Sequence, residues 1–106
     1  MSVFRRRSRE TVPTDSEVVT VPLAEAPARQ HVVVGAQVMS IRIVPAGGRP
    51  VLEVRVADDS GRALIRWTGR RSIGGISLGR RLLIDGVATL GPDGLVFVNP
   101  AYTLLG

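Results

Sequence analysis

Cysteine is absent from the 106 residues, and so is lysine: all 14 basic residues are arginine. The first absence excludes disulfides, thiolate nucleophiles and Cys-based zinc sites. The second excludes a Gly-x-x-x-x-Gly-Lys-Ser/Thr phosphate loop, and with it the commonest nucleotide-driven motors. Histidine is almost absent. His31 stands alone, without the second nitrogen or sulfur ligand that a metal triad needs. Aromatic residues make up only 4% of the chain, as Phe4, Trp67, Phe97 and Tyr102, a poor platform for stacking successive bases of a single strand. No apolar run approaches the ~18 residues of a membrane-spanning helix. The opening Met1-Ser2-Val3-Phe4-Arg5-Arg6-Arg7 lacks the apolar stretch of a secretory leader, so a cytoplasmic location is expected, with no membrane partner. Asp58 and Asp59 adjoin Ser60-Gly61, where acids serve turns, and neighbouring strand residues point to opposite faces. No catalytic set emerges, and neither an enzyme nor a cofactor is expected.

What the chain does have is positive charge in one place. Arg5, Arg6, Arg7 and Arg9 are cancelled by Glu10, Asp15, Glu17 and Glu25, so the whole formal charge of +5 belongs to residues 29–106. A domain with that excess suits a polyanionic partner. The bias toward Arg, Ala, Gly, Val and Pro also fits a GC-rich genome, in which arginine is the default cation, so basicity alone is weak evidence.

Residues 1–28 read as a flexible or loosely docked tail, with Pro13, Pro22 and Pro27 and no sustained period of either 2 or 3.6. Within it, 18–21 suits a brief strand and 23–26 a helical turn able to plug a barrel. From 29 to 106 the texture is that of one all-β domain. His31 to Val44 is long and β-branched, with Gly35 as the expected bend. Pro45 to Pro50 reads as a loop. Val51 to Asp58 alternates, with Leu52, Val54 and Val56 on one face and Glu53 and Arg55 on the other. Asp59-Ser60-Gly61 supplies a turn, with Gly61 free to take positive φ. Ala63 to Thr68 returns as a third strand. The segment Gly69 to Gly79 is expected to be irregular, folding Ile73, Ile76 and Leu78 inward. A fourth strand from Arg81 to Leu90 follows, then the turn Gly91-Pro92-Asp93-Gly94 and a fifth strand from Leu95 to about Tyr102. Five strands with a long first one suggest a five-stranded Greek-key OB-fold barrel; an SH3-like barrel would carry more aromatics and a shorter first strand.

Several segments carry a family resemblance. Gly35-Ala36-Gln37-Val38, Leu52 through Gly61 and Ile65-Arg66-Trp67 resemble the opening half of OB-fold nucleic-acid-binding domains. Leu78 to Leu82, Asp85-Gly86 and Val98 to Tyr102 are similar to the close of the wedge domain of RecG-type branch-migration helicases. Trp67 through Ile76 and the ending Asn99-Pro100-Ala101-Tyr102 are nearer still to small stand-alone actinobacterial proteins of the OB type. The resemblance covers roughly residues 29–105 and implies non-catalytic nucleic-acid binding, with DNA favoured over RNA and a place in DNA repair or recombination.

In such barrels ligands lie across strands 2 and 3, between the loops joining strands 1–2 and 4–5. Parity sends Arg42, Arg55 and Arg66 to one side, with Arg49, Arg70 and Arg71 close by. Guanidinium groups there would make forked bonds to phosphates. Trp67 is the candidate for stacking on a base, although its parity with Ile65 points to the core. The alternative is a protein-interaction or assembly module, using the same face or the N-terminal tail against a second copy or another protein.

Overall fold

A computed structural model describes residues 19–106. The expected strand at 18–21 lies only partly within this range, and the Arg5–Arg7 run lies outside it. The described chain is all-β. A short 3-10 turn over Leu23–Glu25 precedes six strands: β1 (His31–Ala46), β2 (Arg49–Ala57), β3 (Arg62–Thr68), β4 (Arg81–Gly91), β5 (Gly94–Val98) and β6 (Ala101–Leu105). Among the described residues no helix is long and apolar enough to cross a membrane.

The strands form one sheet in the order β1-β2-β3-β5-β4-β6, and a further pairing of β1 with β4 brings the sheet back on itself. All neighbours are antiparallel except β3 and β5, which are parallel. Long β1 makes this ring: its first half pairs with β4 from His31↔Val87 to Gln37↔Arg81, its second half with β2 from Gln37↔Ala57 to Ala46↔Arg49. The change of partner falls at Gln37, which pairs with both strands, and the β1–β2 register slips just beyond it, between Val38 and Ser40. Gly35, the expected bend, lies in unbroken pairing with Leu83. A Cβ there would meet only ordinary contact with Leu83, so neither space nor register requires glycine.

Six strands stand where five were expected because the last one is broken. Asn99 takes a left-handed φ of 51°, and Pro100 follows with no N–H to give a ladder. The pairing with β4 slips by one residue across this break, from Ala88↔Phe97 to Asp85↔Ala101. The first half, β5, lies between β3 and β4. The second half, β6, leaves β3 and continues along β4 alone.

The β1–β2 connection also differs from expectation. Pro45↔Pro50 and Ala46↔Arg49 are paired, and the turn is only Gly47-Gly48, at φ of 62° and 83°. Two positive φ values in succession are what a tight two-residue hairpin turn demands. Proline gives no N–H, so the facing prolines occupy the position where a hairpin exchanges no hydrogen bonds.

Alternation builds the core. Val34, Val54, Val56, Ile65, Leu82, Ile84 and Phe97 are fully buried, and Trp67 joins them. Ile73, from the β3–β4 connection, is buried and Ile76 packs against the core, but Leu78 is 68% exposed, against the expectation that all three fold inward.

The segment before β1 packs against this ring. Leu23 is 4% exposed within the core cluster, and the Val21 N–H donates to the Val33 carbonyl at 3.0 Å. Asp58 fixes this strap. One of its oxygens accepts from the N–H groups of Ser60 and Gly61 and the Ser60 hydroxyl; the other accepts from the Leu23 N–H at 2.8 Å. Ser60 Oγ in turn accepts from the Ala24 N–H at 3.0 Å. Burial acts to raise the Asp58 carboxyl, but these bonds to its charged form outweigh burial and hold it below the usual carboxylate range. Gly61 is not among the glycines at positive φ; the Asp58 side chain organises this turn instead.

Candidate functional site

The outer face of β1, β2, β3 and β5 is ordered by register into cross-strand rows. Arg42 on β1 faces Glu53 on β2, Glu53 faces Arg66 on β3, and Arg66 faces Val98 on β5. Neighbouring strands lie ~4.8 Å apart, so the backbones of Arg42 and Arg66 are roughly 10 Å apart with the carboxylate between them. Arg42 Nε donates to Glu53 Oε1 at 3.1 Å. Arg66 Nε approaches Glu53 Oε2 at 3.4 Å without the alignment of a hydrogen bond. Both guanidiniums therefore meet Glu53 through Nε, and among the described residues their terminal nitrogens make no hydrogen bond and can donate to another acceptor. The Glu53 side chain is 13% exposed, that of Arg66 36% and that of Arg42 70%. Charge at the surface of this row is thus mainly guanidinium, with one net positive charge.

The next row runs Ser40, Arg55, Leu64, Val96, Thr89. Arg55 is exposed, and among the described residues it makes no ion pair. Arg62 opens β3 on the same face, opposite Ala57, and is likewise exposed and without an ion pair among the described residues. Sequence reasoning missed Arg62, although it is two and four residues before Leu64 and Arg66 and shares their parity. With Arg55, Leu64, Val96 and the Pro92-Asp93 turn it lines a small open cleft.

The other expected residues are placed as follows. Arg49 is exposed at the hairpin end of β2, on the parity of Glu53 and Arg55. Arg70 and Arg71 are exposed just beyond β3, where the Gly69 N–H donates to the Pro50 carbonyl at 2.8 Å and ties their segment to the base of that hairpin. Arg42, Arg55 and Arg66 share one face, as parity required, while Arg49, Arg70 and Arg71 belong to its hairpin end.

Trp67 does not reach that face. It is 5% exposed, its ring meets Tyr102 edge-on at 5.5 Å, and Nε1 donates to the Pro100 carbonyl at 3.3 Å. An indole in the core cannot stack on a base, so Trp67 is a packing residue.

Further contacts join the segments around Trp67 and Asn99. The Tyr102 hydroxyl donates to the Gly74 carbonyl at 2.9 Å. The Asn99 side chain accepts from the Thr68 N–H and donates to the Thr68 hydroxyl, both at 3.0 Å. These residues clamp the β3–β4 connection to β6 and are structural.

Elsewhere His31 pairs with Asp85 across β1 and β4, on a different flank. Among the described residues no three His, Cys, Asp or Glu side chains are grouped to hold a metal. No family model matches the chain, and no curated protein was found to match it.

Proposed function

We propose that the chain is a non-catalytic nucleic-acid-binding module of the OB type, with DNA favoured over RNA. The OB reading is supported by the pairing order β1-β2-β3-β5-β4 with return to β1 and the parallel β3–β5 contact. The single observation that carries the binding role is the Arg42–Glu53–Arg66 row with Arg55 beside it. Two guanidiniums held by a recessed carboxylate, and a third that makes no ion pair among the described residues, form a prearranged set of donors for successive phosphates. Arg49, Arg70 and Arg71 extend this charge toward the hairpin end. Among the described residues Trp67 and Phe97 are buried and Tyr102 is half-buried against Trp67, so the backbone rather than a stack of bases supplies the affinity. A place in DNA repair or recombination follows from the resemblance alone.

The test is fluorescence anisotropy with single-stranded, duplex and forked DNA and with RNA at several salt concentrations. If about four arginines neutralise phosphates of a single strand, log K falls with log salt at a slope near −3. The Arg55→Ala/Arg66→Ala double variant should lower the magnitude of that slope by roughly 1.4. Absence of binding to every form at low salt refutes the reading. An assembly role through the leading segment is less supported, since Val21 and Leu23 are engaged by their own barrel.

A further inference from the structure

β6 is the last strand of the sheet and pairs only with β4. Backbone groups along an antiparallel strand turn alternately to one side and the other. The carbonyls of Arg80, just before β4, and of Ala88 within it accept from the Val38 and Arg29 N–H groups, on the β1 side. Arg81, Leu83 and Asp85 therefore turn theirs to β6, where they face Leu105, Thr103 and Ala101. That leaves the N–H and C=O groups of Tyr102 and Leu104 on the open side, and among the described residues they make no backbone hydrogen bond there. The usual guards of a strand edge are missing from it. Ala101–Leu105 holds neither charge nor proline, and its pairing with β4 runs without a slip. By contrast, the part of β1 after Ser40, which pairs with β2 alone, carries Arg42 and Pro45.

We propose that β6 joins two copies of this chain, paired antiparallel about a two-fold axis at Thr103. A two-fold contact must be complementary to itself, and this strand is. Centring on Thr103 pairs all five residues. It sets Thr103 against Thr103 of the second copy, Tyr102 against Leu104 of the second copy and Ala101 against Leu105 of the second copy. A hydroxyl pair and aromatic–aliphatic pairs are favourable across strands. The open groups of Tyr102 then meet those of Leu104, and their exchange makes about four backbone hydrogen bonds across the axis. Charge fits as well. Asp85 faces Ala101 and Arg81 faces Leu105, so a row through the contact runs from Asp85 to Arg81 of the second copy, and no like charges oppose each other. The arginine row spans β1 to β3 and stays open, so this contact is independent of the nucleic-acid role.

Sedimentation equilibrium of the full chain, without nucleic acid, should show an average mass that rises with concentration from that of one chain toward that of two. Thr103 is exposed, so a charge there spares the fold of each copy while setting like charges opposite each other across the axis. Thr103→Arg and Thr103→Glu should each weaken association roughly tenfold, through the loss of one favourable pair and the gain of a repulsive one. An equimolar mixture of the two variants should associate about as tightly as the wild type, because opposite charges then face each other. Exchange of the Tyr102 and Leu104 amides should slow as concentration rises, with less change at Thr103, which is already bonded to β4. A single-chain mass at every concentration up to about 1 mM overturns the proposal. So does a dimer that both charged variants leave intact, which places the contact on another surface, and so do variants that fail to recover on mixing.

Discussion

Removing either half of the contact between the N-terminal strap and the β2–β3 turn should release the same piece of structure. Leu23 is buried in the core, its N–H is bonded to Asp58, and Asp58 also holds the turn. Truncating a buried leucine costs about 2–5 kcal/mol; at a barrel end, where neighbours relax into the gap, Leu23→Ala should cost about 2.5 kcal/mol. Asp58→Ala removes hydrogen bonds to a partly exposed carboxylate, which together contribute roughly 2 kcal/mol. Independent effects would total close to 4.5 kcal/mol by these estimates. Once the strap has left the barrel, however, the second change has little left to break. The double variant should then lose only about 3 kcal/mol, a coupling of roughly 1.5 kcal/mol. Urea unfolding of the four proteins measures this, provided the slope of stability against urea is constant. Exchange of the Val21 amide, bonded to Val33, reports strap release directly and should accelerate in both single variants. Additivity within about 0.5 kcal/mol, or an unchanged Val21 amide, would refute the idea that one docked unit links these residues.

Two further outcomes follow from local chemistry. Because the folded-state pKa of Asp58 is lowered, its stabilisation is complete above the unfolded value of ~3.9 and is lost as pH falls through the lower folded value. Urea midpoints between pH 5 and pH 2.5 should therefore fall less steeply for Asp58→Asn than for the wild type, and parallel curves would contradict this. Gly75 has a φ of 80°, and a Cβ there would run into the Leu104 side chain. Gly75→Ala should thus cost roughly 2 kcal/mol in thermal or urea unfolding, about half of it recovered in a Leu104→Ala background, where only the backbone strain remains.

The inward and outward faces of β2 and β3 were legible because burial alternates from Leu52 to Val56 and along the whole of β3, although Val51 beside Leu52 is buried too. Leu52, Val54, Val56, Ile65 and Trp67 are buried, and Arg55 is exposed. That same parity assembled Arg42, Arg55 and Arg66, and it would have included Arg62 had the strand been begun one residue earlier. No register irregularity falls at Gly35; the one in β1 lies between Val38 and Ser40 in its pairing with β2, where no residue type announces it. The Asn99-Pro100 break carried a local signal, an Asn able to take positive φ before a residue without an N–H. It was hidden by the strand-forming residues on either side, Val96 to Val98 before it and Tyr102-Thr103 after it. Leu78 shows the opposite failure, an apolar residue in an irregular segment where no period relates it to the core. The cleft was not legible, because Arg62 and Asp93 are far apart in sequence and meet only through the β3–β5 pairing.

The placement of β4 has a consequence for how the chain reaches its native state. β4 must be joined by β1, which begins 50 residues earlier in the 106-residue numbering, and by β5 and β6, which come after it. No early hairpin can close the ring, and most of the ordering entropy is spent before the final pairings return it. Folding should accordingly be slow for the size, on the millisecond-to-second scale of topologies dominated by distant pairings. Until β4 is in place, the half of β1 that awaits it is an open edge on which another chain can template aggregation.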